Sequence, residues 1–427
     1  MLFVVKIIPN MERVLLIGIA PTNRERWLKI DSLEELEALA QTAGGSVVEK
    51  ILQIKKDINP ATLLGKGKIS ELKDLCRQHK IDLLIFDETL SPTQMRNISD
   101  ETNVRVIDRT ALILDIFAQH AKTAEAKTQV ELAQLEYRRT NLIGFGTELS
   151  RLGGGIGTRG PGERKLEIDR RRIRERISVL NRTLSRIDKE RAVQRKNRLP
   201  FYNISLAGYT NAGKSTLMNQ LTHANVKVAP YLFATLDPNT KPLAITKHIT
   251  VFITDTVGFI RNLPHELIAS FRSTLSEIEN ADLILHIVDA PQPDIENKIT
   301  AVEKTLEEIT SNDKSVLMVF NKIDRVFEPE IIKRLKRTYN KSVFVSALTG
   351  DGIEQLKSAI LNSLKPQLAT KTFTIPVIRG DLINKIYDNA DVIKRTEKDN
   401  KVKLSVKGYR QILLKLSKEI KEAIRTT

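Results

Sequence analysis

Residues able to do thiol, redox or metal chemistry are scarce in this sequence: one cysteine, one tryptophan and six histidines among 427 residues. A lone cysteine, Cys76, makes no intrachain disulfide and no Cys-based metal site. That usage is expected of a reducing cytosol, and a small buried apolar role is expected for the residue. Long apolar runs are also missing. No stretch approaches the ~18 residues of a membrane span, and the opening MLFVVKIIP is cut by Lys6 and Pro9 with no small-residue cleavage site after it. These absences predict a soluble, cytoplasmic protein, with attachment to a membrane surface left open and a monomer as the default. Acidic side chains are the last shortage: 52 Asp and Glu face 68 Lys and Arg, a formal charge of +16 with a pI near 9.7. A polyanionic partner, whether RNA, DNA or an anionic membrane, is therefore expected.

A chain of 427 residues exceeds one ordinary core and predicts two to four domains. Residues 1–118 alternate strand-like and helix-like segments. The apolar run 13–19 reads as a buried strand, Ser32 with Glu35 as a capping-box start for a helix through Ala43, and 47–51, 83–86 and 104–107 as further strands. Helices are expected at 69–79 and 91–100. The pattern is that of a small α/β domain with a mainly parallel sheet. Its glycine–lysine turn, GKGK at 65–68, reads either as a phosphate site or as a solvated turn.

From 123 to 139 the sequence is continuously helical, a glycine-dense interruption follows at 144–146 and 152–162, and then Leu166, Ile173, Ile177, Leu180, Leu184 and Ile187 recur at mostly three- and four-residue steps. This predicts a helical hairpin over 119–199 with a Gly-rich tip and a basic linker at 191–199. Charge concentrates here: from Glu163 to Arg198, 14 Lys and Arg stand against 6 Asp and Glu. RNA contact is expected through Arg151, Gly153, Gly154, Gly155, Arg159 and Arg164 at the tip and Arg170, Arg171 and Arg172 on the second helix.

The domain over 200–366 carries the chemistry. Gly208-Tyr209-Thr210-Asn211-Ala212-Gly213-Lys214-Ser215, followed by Thr216, reads G-x-x-x-x-G-K-S between a strand-like and a helix-like segment. Backbone N–H groups of such a loop wrap phosphates, the lysine reaches the β and γ oxygens, and the serine hydroxyl meets Mg²⁺. Asn321-Lys322-Ile323-Asp324 chooses the base, because the Asp carboxylate accepts from guanine N1–H and N2–H, which adenine lacks. Ser346-Ala347-Leu348 is placed to offer a backbone N–H to guanine O6. Asp255-Thr256-Val257-Gly258 reads D-x-x-G: Asp255 holds Mg²⁺ through water and the Gly258 amide bonds the γ-phosphate. Within Phe233-Ala234-Thr235-Leu236-Asp237, Thr235 is the expected switch threonine and metal ligand, with Thr240 as its substitute. Lys214, Thr235 and Gly258 are the expected catalytic groups. Phe259 stands where Ras-like enzymes carry a water-orienting glutamine, so slow intrinsic hydrolysis and dependence on a partner are expected. A small α+β domain at 367–427 ends the chain.

With these residues, the chain resembles the HflX family of bacterial GTPases. FDETLSP at 86–92, VIDRT at 106–110, QVELAQL at 129–135, LSRLGGGIGTRGPGE at 149–163 and DTVGFI at 255–260 carry the resemblance. It implies an α/β fold in which a P-loop GTPase domain follows a small α/β domain and a long helical hairpin. It also implies Mg²⁺ as cofactor, GTP as substrate, and the large (50S) ribosomal subunit with its rRNA as partner. The hairpin would insert toward the peptidyl-transferase region to split stalled or idle ribosomes, and some members are reported to use ATP through the N-terminal region or to remodel rRNA. A ribosome-assembly GTPase and a GTP-regulated RNA-binding protein stand as alternatives. Arg164 departs from the threonine expected after Gly162-Glu163.

Overall fold

The computed structural model describes residues 12–56, 58–149, 161–197, 201–223, 231–233, 235–261, 272–292, 294–310 and 314–425. They form two compact units. One holds the residues up to Lys189 with the described parts of 229–237 and 261–273; the other holds the remainder from Glu190. No helix among the described residues is long and apolar enough to cross a membrane.

In the first unit β1 (Arg13–Ala20), α1 (Arg26–Thr42), β2 (Ser46–Ile54), α2 (Lys66–His79), β3 (Leu83–Phe86), α3 (Pro92–Thr102), β4 (Arg105–Asp108) and α4 (Arg109–His120) follow one another. The strands stand in the order β2-β1-β3-β4, all parallel. β1 is buried from Val14 to Ala20, as a central strand covered on both faces requires. Cys76 lies in the same core, where burial pushes its thiol up to about 11.

Ser32 is not a cap, because α1 already starts at Arg26. Its hydroxyl, buried in mid-helix, donates to Asp87 Oδ2 at 2.7 Å. Asp87 also receives Arg109 at 2.8 Å and Lys29 at 2.7 Å, while Arg109 reaches Glu35 as well. The Ser–Glu spacing that imitates a capping box therefore serves a buried ion network. The actual capping box is Ser91 with Gln94, at the start of α3. The GKGK turn is the opening of α2: Gly65 is the N-cap and Lys68 pairs with Glu71 at 2.6 Å.

α5 (Ala124–Leu149) and α6 (Pro161–Asn197) are the two long helices. α5 continues past Arg139 and carries Gly144 and Gly146 within it. α6 runs through most of the expected linker, since no proline or glycine lies between Gly162 and Pro200 to stop it. Ile177, Leu180 and Leu184 pack on Leu132 and Leu135, and Arg176 grips Glu131 with two bonds of 2.7 and 2.8 Å. Tyr137 of α5 donates to Asp108 Oδ1 at 3.1 Å, tying the pair to the β4–α4 junction.

The second unit contains β5 (Tyr202–Gly208), α7 (Lys214–Thr222), β6 (Asn239–Ala244), β7 (Thr250–Asp255), α8 (Arg272–Glu279), β8 (Leu283–Asp289), α9 (Ile295–Ile309), β9 (Ser315–Asn321), α10 (Pro329–Thr338), β10 (Val343–Phe344) and α11 (Ile353–Ser363), although the first residues of α8 cluster with the first unit. Its sheet has the order β10-β9-β8-β5-β7-β6, parallel except for β6. β11 (Leu368–Pro376), α12 (Gly380–Asn389), β12 (Asp391–Lys398), β13 (Lys401–Tyr409) and α13 (Arg410–Arg425) follow, with an antiparallel sheet β11-β13-β12. β12 escapes sequence reading because DVIKRTEK has almost no apolar alternation. Tyr409 joins the two parts: its hydroxyl donates to Thr250 O at 2.7 Å and its ring meets Phe201 edge-on.

Burial pushes the Asp87 carboxyl up, but Arg109 and Lys29 outweigh it and hold the group below its ordinary value. A depressed carboxylate stabilises the fold above its unfolded pKa and loses that contribution as pH falls through the lower folded value. Arg109→Met is expected to cost about 3–5 kcal/mol at neutral pH, because a buried charge loses its partner. It should also flatten the acid-side loss of stability below about pH 4. Urea unfolding followed through Trp27, the single tryptophan and a residue of α1, measures both.

Candidate nucleotide site

The order of the six-stranded sheet reverses at β5. From there the chain passes to β6 and β7 on one side and then to β8 on the other, which opens a crevice beyond the carboxyl ends of the strands. The loop 208–213 sits in that crevice. Gly208 has φ +155, and a Cβ there would lie 2.3 Å from Ile287 O; Gly213 has φ +90, and its Cβ would lie 2.3 Å from Asn321 Nδ2. Neither position admits a side chain.

Lys214 opens α7 and is 7% exposed. Its ammonium donates to the carbonyls of Gly208 at 3.1 Å and Tyr209 at 3.0 Å, so the charge lies inside the loop. Burial pushes its pKa down to about 8, with Asp255 opposing. Ser215 Oγ donates to Asp255 Oδ2 at 2.5 Å, and Thr216 stands half-buried beside it. Thr210 Oγ1 is buried with no hydrogen-bond partner among the described residues. His286 on β8, which sequence reading missed, is held neutral. Burial, with Lys214 adding, pushes it down to about 4.

The D-x-x-G stretch lies on this loop. Thr256 Oγ1 donates to Leu206 O at 2.6 Å, and Val257 is buried. A Cβ on Gly258 would stand 2.8 Å from Thr210 Cγ2 and 3.0 Å from Lys214 Nζ. Thr210 N donates to Phe259 O at 2.7 Å and Phe259 N to Gly208 O at 3.1 Å, while the Phe259 ring is 2% exposed. Phe259 is thus a packing residue with no polar side-chain atom to offer water.

Asn321 binds two loops at once. Its Nδ2 donates to Ala212 O at 2.8 Å and its Oδ1 accepts from Ala347 N at 2.9 Å. Lys322, at φ +61, donates to Asn211 O at 2.7 Å and to Asp289 Oδ2 at 2.8 Å. Ile323 and Asp324 form a single 3-10 turn, and Ser346 Oγ donates to Asp324 Oδ1 at 2.6 Å; Leu348 is exposed. Asp289 is the second residue sequence reading missed. An acid ending the mostly apolar run 283–288 was the available signal.

The expected switch segment clusters with the first unit. Phe233, Thr235, Leu236 and Asp237 belong to the first unit, and Ala234 lies outside the described residues. Phe233 is buried edge-on against Phe117 with centroids 4.6 Å apart, and Asp237 accepts from Thr123 Oγ1. Phe233 and Leu236 are each only 2–3% exposed. Thr240 is held on β6 with its hydroxyl 2.9 Å from that of Thr254.

Arg151, Gly153, Gly154, Gly155 and Arg159 lie outside the described residues, as does the side chain of Arg164. Arg172 is exposed, Arg171 pairs with Glu175 at 2.8 Å, and Arg170 O accepts from Arg174 at 3.3 Å. Further along α6 an open groove of about 670 Å³ is lined by Arg139, Arg174, Ser178, Asn181, Arg182, Arg186 and Lys189, with no carboxylate among its walls.

Proteins similar along most of this length are known. The GTPase HflX of Caldanaerobacter subterraneus subsp. tengcongensis is 42% identical over 420 residues, 97% of this chain and 94% of that protein. The GTPase HflX of Escherichia coli is 42% identical over 383 residues, 88% and 90% of the two chains. The chain belongs to the HflX family of GTPases. Four family descriptions divide this HflX chain: GTP-binding GTPase N-terminal over 30–118, GTP-binding GTPase Middle Region over 120–198, 50S ribosome-binding GTPase over 203–322, and HflX C-terminal domain over 330–420. Among solved structures, a GTP-binding protein from Sulfolobus solfataricus in complex with GDP is 24% identical with a TM-score of 0.43, covering 83% of this chain and 99% of its own.

Asn321→Ala should loosen the crevice even without nucleotide, since it leaves Ala212 O and Ala347 N unsatisfied. A loss of roughly 2–4 kcal/mol is expected. Thermal unfolding of the nucleotide-free protein gives the value, and an unchanged melting curve would contradict the assigned tie.

Proposed function

We propose that this HflX chain is a GTP-switched factor that binds the large ribosomal subunit and its rRNA as a monomer and splits stalled or idle 70S ribosomes. The observation that carries the reading is the pairing, in one chain, of a crevice already tied together by Asn321 with a 37-residue helix whose groove is lined by arginine and lysine without an acid. The match of 203–322 to a 50S ribosome-binding GTPase supports the choice of polyanion.

In this reading the amides of 208–216 cradle the phosphates, and Lys214 exchanges its carbonyl partners for β and γ oxygens. Ser215 and, through water, Asp255 would hold Mg²⁺; a hydroxyl and a carboxylate already 2.5 Å apart suit a hard cation. The ion supplies charge neutralisation on the phosphates. Gly258 N–H and Thr235 sense the γ-phosphate, Asp324 accepts from guanine N1–H and N2–H, and the Ser346–Leu348 backbone faces O6. With Phe259 buried, no side chain at that position orients the attacking water. Hydrolysis is therefore slow until the ribosome positions the missing group.

Asp324→Asn should lower GTP affinity by at least on the order of 10²-fold and favour xanthosine triphosphate; equal preference before and after would reject the guanine contact. Sucrose gradients with purified 70S ribosomes decide the activity. Conversion to free subunits with GTP or a slowly hydrolysed analogue is expected. Intact 70S peaks alongside binding to isolated 50S would instead favour an assembly or rRNA-remodelling role.

A further inference from the structure

The C-terminal sheet β11-β13-β12 buries one face under its helices and leaves the other open. Phe373, Ile375, Val402, Leu404 and Val406 fill the core. The intervening positions, by the two-residue period of a strand, share the opposite face. Register sets them in rows: Thr372, Ser405 and Lys394; Thr374, Lys403 and Thr396; Pro376, Lys401 and Lys398. Lys407, between Thr370 and Asp391, ends the array. Lys394, Lys398, Lys401 and Lys403 are exposed, and Lys407 and Ser405 are half-buried.

Nothing in the fold requires this arrangement. Lys398 and Lys401 are direct cross-strand partners, and like charges so placed destabilise a sheet. Among the described residues none of these five lysines forms an ion pair with a carboxylate. Asp391, the one acid in the array, is already engaged by Thr246 Oγ1 at 2.6 Å. Glu397 opposes Val402, on the helix side, near Arg395. An uncompensated lattice of ammonium groups interleaved with hydroxyls is what a row of phosphates satisfies.

We infer that this face is a second nucleic-acid surface, one that takes the backbone of double-helical RNA. The face carries threonine, serine and lysine and no aromatic ring, so it offers phosphate and ribose contacts but no platform for stacked single-stranded bases. Hydroxyl side chains also suit the 2′-OH groups displayed across the wide minor groove of A-form RNA. The assignment rests on the ribosomal reading above for its biological target, but not for its chemistry.

The test uses the full-length protein, a perfectly paired RNA duplex of about 16 bp and fluorescence anisotropy over about 50–200 mM salt. Lys398→Gln/Lys401→Gln/Lys403→Gln should weaken binding about tenfold or more at the low end and reduce the salt slope by about 2–3. The corresponding triple arginine variant should retain both. The same comparison in an Arg174→Gln/Arg182→Gln background removes the helical groove from the signal. Affinity and slope unchanged by the glutamines in both backgrounds would overturn the inference, and so would lysine-dependent binding to anionic phospholipid vesicles with duplex binding unaffected. If the duplex result holds while wild-type protein fails to sediment with 50S subunits, the RNA surface stands and the ribosomal target is lost.

Discussion

One buried amide side chain decides whether this crevice is a site or three unrelated loops. Asn321 has a donor end and an acceptor end, and it uses them on different loops, Ala212 O at 2.8 Å and Ala347 N at 2.9 Å. The geometry demands more than a polar residue. Gly213 has to lack a Cβ because the Asn321 nitrogen occupies that space. The ladder must also bring the strand ends level, which it does by setting Gly208 against Ile287 and Asp289 against Asn321. Lys322 then repeats the tie a second time, from Asn211 to Asp289. A nucleotide entering this crevice meets loops already ordered, so less conformational entropy remains to be lost on binding.

The same preorganisation stores an electrostatic tension. An ammonium in a 7%-exposed position loses hydration, which is why Lys214 is driven down to about 8, and two neutral carbonyls compensate only in part. An anion is the kind of partner that compensates a buried ammonium more fully than neutral carbonyls do. The neighbouring His286 cannot compete, since the same burial keeps it uncharged. Phe259 completes the economy of the site: its backbone clasps the loop through Thr210 and Gly208 while its ring fills the core. Backbone and side chain there serve structure, and the ring has no polar atom to offer a water.

How much of this was legible in the sequence differs by element. The loops of the crevice were readable as motifs because each has fixed residue types at fixed spacing and follows a strand. Asp289 and His286 were not, because their importance comes from sheet register rather than from a motif. Ser32 and Glu35 misled for the opposite reason. Their spacing satisfies a local rule, yet the helix starts earlier and a distant Arg109 claims both of them. β12 was invisible since an edge strand with one solvent-facing side needs little hydrophobicity. The seam of α6 was readable from Ile173 to Ile187, because a helix packed against one partner must repeat its apolar positions.

Thr235 sits between two anchored residues. Residues 232–237 lie in sequence between α7 and β6, both elements of the second unit, yet Phe233 is buried on Phe117 and Asp237 is held by Thr123, just before α5. Burial of an aromatic ring of this size is worth on the order of 2–3 kcal/mol, comparable to what one γ-phosphate contact supplies. Thr235 is two residues from Phe233 and two from Asp237, too close to move far while both stay anchored. A shift of the threonine must therefore either free the ring from Phe117 or carry the end of α4 with it, and α4 leads directly into α5, the first arm of the basic hairpin.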